Sequence, residues 1–427
     1  MGNELQRADK GFPGVLKSLI MSDADRINAM NRNVIEYQPC AVDAFFEPRQ
    51  GVFNAIVSGG DNRMRVNAMV AQIACAISNG FPVVVLHEGN RELEEQMRRN
   101  FLGTGQYIEI GTSSPGFEPF YGLSDLEIAN QILETASKDF DIKYNVRYYI
   151  EGVSKILNKR KKHLSFKMFF SCPHALIFDK VDELRMQGII SDSEEHEIKS
   201  KLMMGQSENY KLDSFLNSLK MEISPLMYVT KQGYKPVSII SSLKRNAVLC
   251  MDIGTIANKL LLNTIFYQLK LSLTKGLRYA FLVDSIPLGA NEAYAAYMRF
   301  STDKVCRMIS SDDFYAMVGS DEKIFSSAVG NSQILIVMGH TSGNSATKWA
   351  EVFGKYDKLE QSYSISKGSS KRTAFSLFSS PNQQKTSSIS KNREYIIKPE
   401  MITRMGCREA YVLTAVRGEL AHLVLNG

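Results

Sequence analysis

The sequence predicts an α/β protein: a mostly parallel sheet with helices on both faces and an all-α stretch inserted into it. Three observations predict this. Asn54–Val57 is a short apolar run, followed by a glycine-opened turn, a helical pattern over Val66–Ser78 and a second apolar run, Val83–Leu86. Strand, loop, helix and parallel strand make one βαβ unit with a right-handed crossover. The same alternation returns after Asn246, where four apolar runs are separated by helical patterns. Between them, residues 160–244 carry dense helix signals and few strand signals.

Composition sets the class. A chain of 427 residues, 44% hydrophobic and 22% charged, is globular and long enough for two or three domains. No apolar run approaches the length of a transmembrane helix, and MGNELQRADKGFPG has no apolar core of a secretory signal. Cys40, Cys75, Cys172, Cys250, Cys306 and Cys407 are scattered without a C-x-x-C pair. Neither a zinc site nor a disulfide framework is expected, and a reducing cytoplasm is.

The charge is uneven. Residues 355–398 hold nine Lys/Arg against three Asp/Glu, an excess equal to the whole net charge of +6. A second cluster is Lys159, Arg160, Lys161 and Lys162. Each reads either as a contact for a nucleic-acid backbone or as a solvated loop and helix end.

In chain order, residues 1–50 form an N-terminal segment in which Ser22–Asp25 caps a helix through Met30. Residues 51–159 are the first part of the core. In the helix over Val66–Ser78, Met69, Val70, Ile73, Ala74 and Ile77 share a face, and Gly80 caps its end. Pro82 bars continuation before the strand Val83–Leu86. A charged helix over Asn90–Asn100, a strand Gln106–Ile110, a turn-rich loop Gly111–Gly122 and helices Leu126–Ser137 and Tyr144–Leu157 follow.

Residues 160–244 are the all-α insertion, with helices over Ser191–Met204 and Lys211–Met221. Within it, ALIFDKVDE (Ala175–Glu183) reads as a helix start or as a strand ending in aspartate. Residues 245–427 are the second part of the core. Its strands are Ala247–Ile253, Tyr279–Val283 ending at Asp284, Val305–Ser310 and Gln333–Met338, with helices over Asn258–Leu273 and Asn291–Phe300. The Ser/Lys-rich segment 362–392 is a linker or a long β-hairpin. A strand Glu394–Lys398, a helical turn Pro399–Met405 and strands Ala410–Val416 and Ala421–Leu425 close the chain.

The loop after the first core strand is where α/β proteins often hold phosphate, on backbone N–H groups of a G-x-x-x-x-G-K-[ST] turn. With Gly59 as the first glycine, the frame runs Gly59, Gly60, Asp61, Asn62, Arg63, Met64, Arg65 and Val66. Met64 falls on the second glycine, Arg65 on the lysine and Val66 on the magnesium-binding hydroxyl. An ordinary βα turn fits the same residues. Downstream, FLVDSIPLGANE places four residues ending in an acid, Asp284, on a strand of Walker B form. Ser285 stands where a water-activating glutamate is usual, so no catalytic residue is assigned.

This constellation resembles the FtsK/HerA-type P-loop ATPases, in particular the TraG/TraD-like coupling proteins of conjugation and type IV secretion. Four stretches carry the resemblance: the loop frame with VVVLHEGN; FEPFYGLSDLEIANQIL; AVLCMDIGTIANKLLLNTIFYQLK with FLVDSIPLGANEAYAAYM; and SISKNREYIIKPEMITRMGCREAYVL. Together they span about residues 36–427, and their order is the specific part.

The resemblance implies a RecA-like P-loop core with an inserted all-α domain and homo- or hetero-oligomers, commonly hexameric rings. It also implies DNA and secretion or conjugation components as partners, and a cytoplasmic position at the inner face of a membrane. It implies ATP and Mg as cofactors: Gly59 and Gly60 in the turn, Arg65 at the lysine position, Asp284 toward magnesium. His340 reads as a γ-phosphate contact or as a plain strand-end histidine. Four departures at one site on a retained scaffold favour a non-hydrolysing subunit with weak or absent Mg-ATP binding. The alternatives are a DNA-translocating ATPase using Arg65 and an unconventional base, and a nucleic-acid-binding module using 159–162 and 355–398.

Overall fold

The computed structural model describes residues 23–36, 41–46, 51–136, 140–171, 174–227, 235–254, 259–287, 296–297, 303–368, 382–415 and 418–426. Most of the expected helix Asn291–Phe300, the tip of the Ser/Lys-rich segment and residues 1–22 lie outside these. The strands are β1 (Val34–Glu36), β2 (Ala55–Ser58), β3 (Val83–His87), β4 (Tyr107–Ile110), β5 (Val248–Asp252), β6 (Tyr279–Asp284), β7 (Val305–Ser311), β8 (Ile334–Met338), β9 (Lys355–Gly368), β10 (Asn382–Tyr395), β11 (Glu409–Thr414) and β12 (Glu419–Val424). The chain divides into two compact units, Phe45–Ser58 with Asn62–Ser332, and Met1–Ala44 with Gly59–Asp61 and Gln333–Gly427.

In the larger unit six parallel strands run in the order β4-β5-β3-β6-β7-β2. Val83 stands opposite both Val248 and Ala280. Parallel strands are covered on both faces, and β2, β3, β6 and β7 are buried along their whole length. This is why β2, β3 and β6 read as largely apolar runs, while β7 also buries Arg307, Ser310 and Ser311.

The first crossover helix is Asn62–Ser78, closed by Gly80 at φ 71°. The amides of Gly80 and Phe81 return to Ile77 and Ala76 at 2.8 and 2.9 Å. The helix begins four residues before the expected Val66. Nothing from Asn62 to Arg65 breaks a helix, and Asp61, directly before it, is a residue type favoured at that boundary.

Between β4 and β5 the described residues are mostly helical: Asp125–Ala136, Val146–Lys159, Phe166–Ser171, Ile177–Met186, Asp192–Gly205, Asn209–Ile223 and Ile239–Lys244. The ALIFDKVDE stretch is helix, so Asp179 sits in a first helical turn and ends no strand. Ser191 and Glu194 form a reciprocal capping box on Asp192–Gly205. That helix packs closely on Val146–Lys159 because glycines face side chains there. A Cβ on Gly205 would lie 2.5 Å from Tyr149 Cβ, and one on Gly152 would lie 2.8 Å from Leu202 Cδ2.

In the smaller unit β8, β11 and β12 pair antiparallel, and β1 adds parallel to β12. Strands β9 and β10 form a separate hairpin, paired from Lys355↔Tyr395 to Gly368↔Asn382. Fourteen residues a strand reach about 45 Å at ~3.3 Å each. The hairpin alternative therefore describes the paired residues, with β9 starting seven residues before the Ser/Lys-rich segment. The root is held by helix Asp23–Arg32: Asn28 exchanges hydrogen bonds with the Leu359 backbone at 2.8 and 2.7 Å. The expected strand Glu394–Lys398 is corrected: β10 ends at Tyr395 and Pro399 opens a helix. Pro399 pre-sets the helical φ, and Ile396 turns its amide to Gly354 O at 3.0 Å.

Candidate functional site

In the larger unit the carboxyl ends of β5, β3 and β6 lie side by side, with His87 in register with both Asp252 and Asp284. Loops beyond these ends are where open α/β sheets place ligands. Asp284 is 3% exposed. Its Oδ2 accepts from Asn90 Nδ2 at 2.7 Å and its Oδ1 from Ser310 Oγ at 2.8 Å. Ser285 Oγ stands 3.5 Å from Oδ1. Asp284 thus meets neutral donors on both oxygens.

Asn90 joins three elements. It caps helix Arg91–Phe101 by accepting from Leu93 N at 3.1 Å. It also exchanges side-chain amide bonds with Asn62 at 3.0 and 3.3 Å. Asn62 donates onward to Glu92 Oε2 at 3.0 Å. Ser285 has φ 58°, a left-handed position that costs a non-glycine residue about 1–2 kcal/mol. Its amide donates to Ser310 O at 2.9 Å, which fixes the turn.

The eight-residue loop frame is split between the units after Asp61. Asn62, Arg63, Met64, Arg65 and Val66 are helical. Met64, Arg65 and Val66 are 2%, 7% and 1% exposed, while Arg63 is exposed. The residues at the lysine and hydroxyl positions are therefore packed in a helix, beside Asn62 as the polar residue of that stretch that reaches Asn90.

In the smaller unit Gly59 and Gly60 have φ of 86° and 67°. A Cβ on Gly59 would lie 2.6 Å from His340 Cε1 and 2.7 Å from Gly339 O; on Gly60 it would lie 2.7 Å from Met338 Cβ. Only glycine fits either place, on conformation and on space. Gly60 N–H donates to Gly339 O at 2.9 Å, the bond an anion would take in a phosphate cradle. His340 is 4% exposed and its Nδ1 bonds Met338 O at 2.7 Å. That leaves the ring oriented by its own strand, the plain strand-end arrangement. Asp61 is exposed.

The basic stretches are partly neutralised. Lys159 pairs with Glu194 at 2.5 Å and Arg160 with Glu183 at 2.9 Å. Lys358 pairs with Glu360 and Glu394 at 3.4 and 3.3 Å, and Lys398 also pairs with Glu394. Exposed pairs of this kind add little to stability, so their main effect is on the local field.

Sequence reasoning passed over Asn90, Ser310 and Asn62's bridging role. A signal for the first two was present: Asn90 follows the apolar run of VVVLHEGN, and Ser310 lies near the end of the strand VCRMISS. Nothing in the sequence pairs them with Asp284 across the sheet.

No family model and no curated protein sequence matches the chain. Solved structures do. The bacterial conjugative coupling protein TrwBdeltaN70, in its unbound monoclinic form, aligns at 14% identity and TM-score 0.50, covering 100% of this chain and 93% of that one. The plasmid coupling protein TrwB in complex with the non-hydrolysable ATP analogue ADPNP aligns at 14% and 0.50, covering 100% and 94%. VirB4 of Thermoanaerobacter pseudethanolicus aligns at 9% and 0.46, covering 88% and 89%. Among the described residues no helix is long and apolar enough to cross a membrane. The chain shares its fold with these coupling-protein structures: a RecA-like α/β core with a mostly parallel sheet and an all-α region.

Proposed function

We propose that this chain is a non-hydrolysing subunit of FtsK/HerA fold that serves DNA transfer, or a type IV secretion or conjugation-like assembly. It would act there as a member of a homo- or hetero-oligomer, a hexameric ring in the simplest case. Its place would be at the inner face of a membrane through its partners. The burial of Met64, Arg65 and Val66 in a helix already begun at Asn62 carries this reading. Phosphoryl transfer depends on positioning and charge stabilisation, and the residues at the lysine and magnesium-hydroxyl positions are spent on packing. Asp284 is the residue left to face magnesium, with Ser285 beside it in place of a base.

TrwB has been captured with an ATP analogue, so nucleotide belongs in the test. Purified full chain, alone and with DNA, is assayed for phosphate release and for binding of a fluorescent ATP analogue with Mg. The expected result is no turnover above background and weak or absent binding. Turnover that disappears in Asp284→Ala would establish a working motor instead.

A further inference from the structure

We infer that His87, Glu94 and Asp252 form a binding site for a borderline divalent cation of the zinc, manganese and cobalt class. Each residue offers one ligand atom, and the three atoms lie within 4.8 Å of one another. They come from three elements of the larger unit: the ends of β3 and β5, and the first turn of helix Arg91–Phe101. His87 and Asp252 are in register on neighbouring parallel strands, so their side chains share a face.

The imidazole separates this group from an acidic cluster. His87 is fully buried, and its Nε2 has no hydrogen-bond partner. Glu94 Oε1 stands 3.9 Å from it, too far to accept its proton. A buried nitrogen left without a partner costs the molecule free energy, and a carboxylate oxygen each of Glu94 and Asp252 lies within 4.8 Å of a ring nitrogen. Glu94 and Asp252 are half-buried, so the place is open to solvent on their side.

The surroundings hold the ligands. Asp252 Oδ1 accepts from the amides of Gly89 and Gly254, both at 2.9 Å, which leaves Oδ2 for a cation. Arg98 makes a bidentate pair with Glu109 at 2.7 and 2.6 Å and a longer bond to Glu94 Oε2 at 3.5 Å, while Glu94 Oε1 stands on the His87 side. One imidazole nitrogen and two carboxylate oxygens suit zinc, manganese or cobalt better than magnesium, which prefers water and phosphate oxygens.

Loading carries a proton shift. His87 Nδ1 accepts from Asn90 N at 3.2 Å, so the neutral ring holds its proton on Nε2. For a cation to bind, the ring gives its Nε2 proton to solvent and takes one from solvent at Nδ1; this frees the Nε2 lone pair for the cation, and the Asn90 amide loses its acceptor. Asn90 also donates to Asp284. Occupancy of the cation site is thereby linked to the loop that holds Asp284.

The full chain is stripped with chelator and titrated with Co²⁺ without nucleotide, so the outcome is separate from the ATPase reading. Cys407→Ser serves as the background, since that thiol is exposed. One saturable set of visible Co²⁺ bands, displaced by Zn²⁺, is expected. In Glu94→Gln and Asp252→Asn, affinity falls by at least about tenfold. Histidine nitrogen NMR on the parent chain is independent of variant folding: Zn²⁺ should move the His87 proton from Nε2 to Nδ1. Absence of a saturable band, bands undiminished in both variants, or a His87 ring that keeps its Nε2 proton with excess Zn²⁺ would each overturn the site.

Discussion

Asn90 donates to Asp284 at 2.7 Å while its own oxygen caps the following helix at Leu93. One side chain therefore ties the end of β6 to the start of Arg91–Phe101. Asn90→Ala removes the cap, worth ~1 kcal/mol, and leaves a buried carboxylate oxygen without its donor, worth ~1–3 kcal/mol. The expected total loss is about 2–4 kcal/mol, read as a lower urea midpoint. Asn90→Asp keeps the cap but sets two carboxylates together, and is expected to be no better. An Asn90→Ala midpoint equal to the parent's would show the contact to be incidental.

Restoring the phosphate-loop residues is expected not to restore activity. Arg65 and Val66 are buried in helix Asn62–Ser78, so Arg65→Lys with Val66→Thr places an ammonium and a hydroxyl into packing. Val to Thr in a packed place introduces a hydroxyl without a partner, at ~1–3 kcal/mol. The double variant should melt lower and release no phosphate. Phosphate release by this variant would mean that the helix start yields to ligand.

The helix crossing at Gly205 tests the all-α region by itself. A methyl there meets Tyr149 Cβ at 2.5 Å, and Tyr149 is fully buried. Gly205→Ala should cost about 1–3 kcal/mol through overpacking, against the usual helix gain from replacing glycine. Stabilisation by this variant, measured by thermal melting, would show that the two helices can separate freely.

Glu118 supplies a pH test. Burial pushes its carboxyl up, against amides of Phe166 and Phe120 that donate to Oε1 at 2.8 and 3.2 Å. A folded carboxyl raised above its unfolded value is neutral in both states at low pH. As pH rises past the unfolded value near 4.5, the unfolded chain ionises first and folding loses stability. Glu118→Gln keeps the acceptor oxygen and removes the ionisation. It should gain on the parent as pH rises above about 4.5, and a pH-independent difference would refute the shift.

The hairpin tests the basic stretch. Lys367, Lys371, Arg372, Lys385 and Lys391 lie on or between its strands in sequence. Replacing all five with Ser should flatten the salt dependence of DNA binding by roughly 0.9 for each phosphate that is no longer neutralised. The same slope in both proteins would leave the hairpin to another partner.

The sequence by itself determined most of the strands and helices, because buried parallel strands are largely apolar and glycine is favoured where φ is positive. Asn54–Val57, Val83–Leu86, Tyr279–Val283 and Gly80 were legible for those local reasons. It also named Asp284 and the loop frame, since strand-to-helix turns are continuous in the chain. Only the tertiary structure decided the rest. The helix start at Asn62 follows from burial of Met64, Arg65 and Val66, which no local residue forces. The ties of Asn90 and Ser310 to Asp284, and the meeting of His87, Glu94 and Asp252, depend on which strands lie side by side. The order β5-β3-β6 is set by packing between segments more than a hundred residues apart, and hydrophobic periodicity carries no record of it.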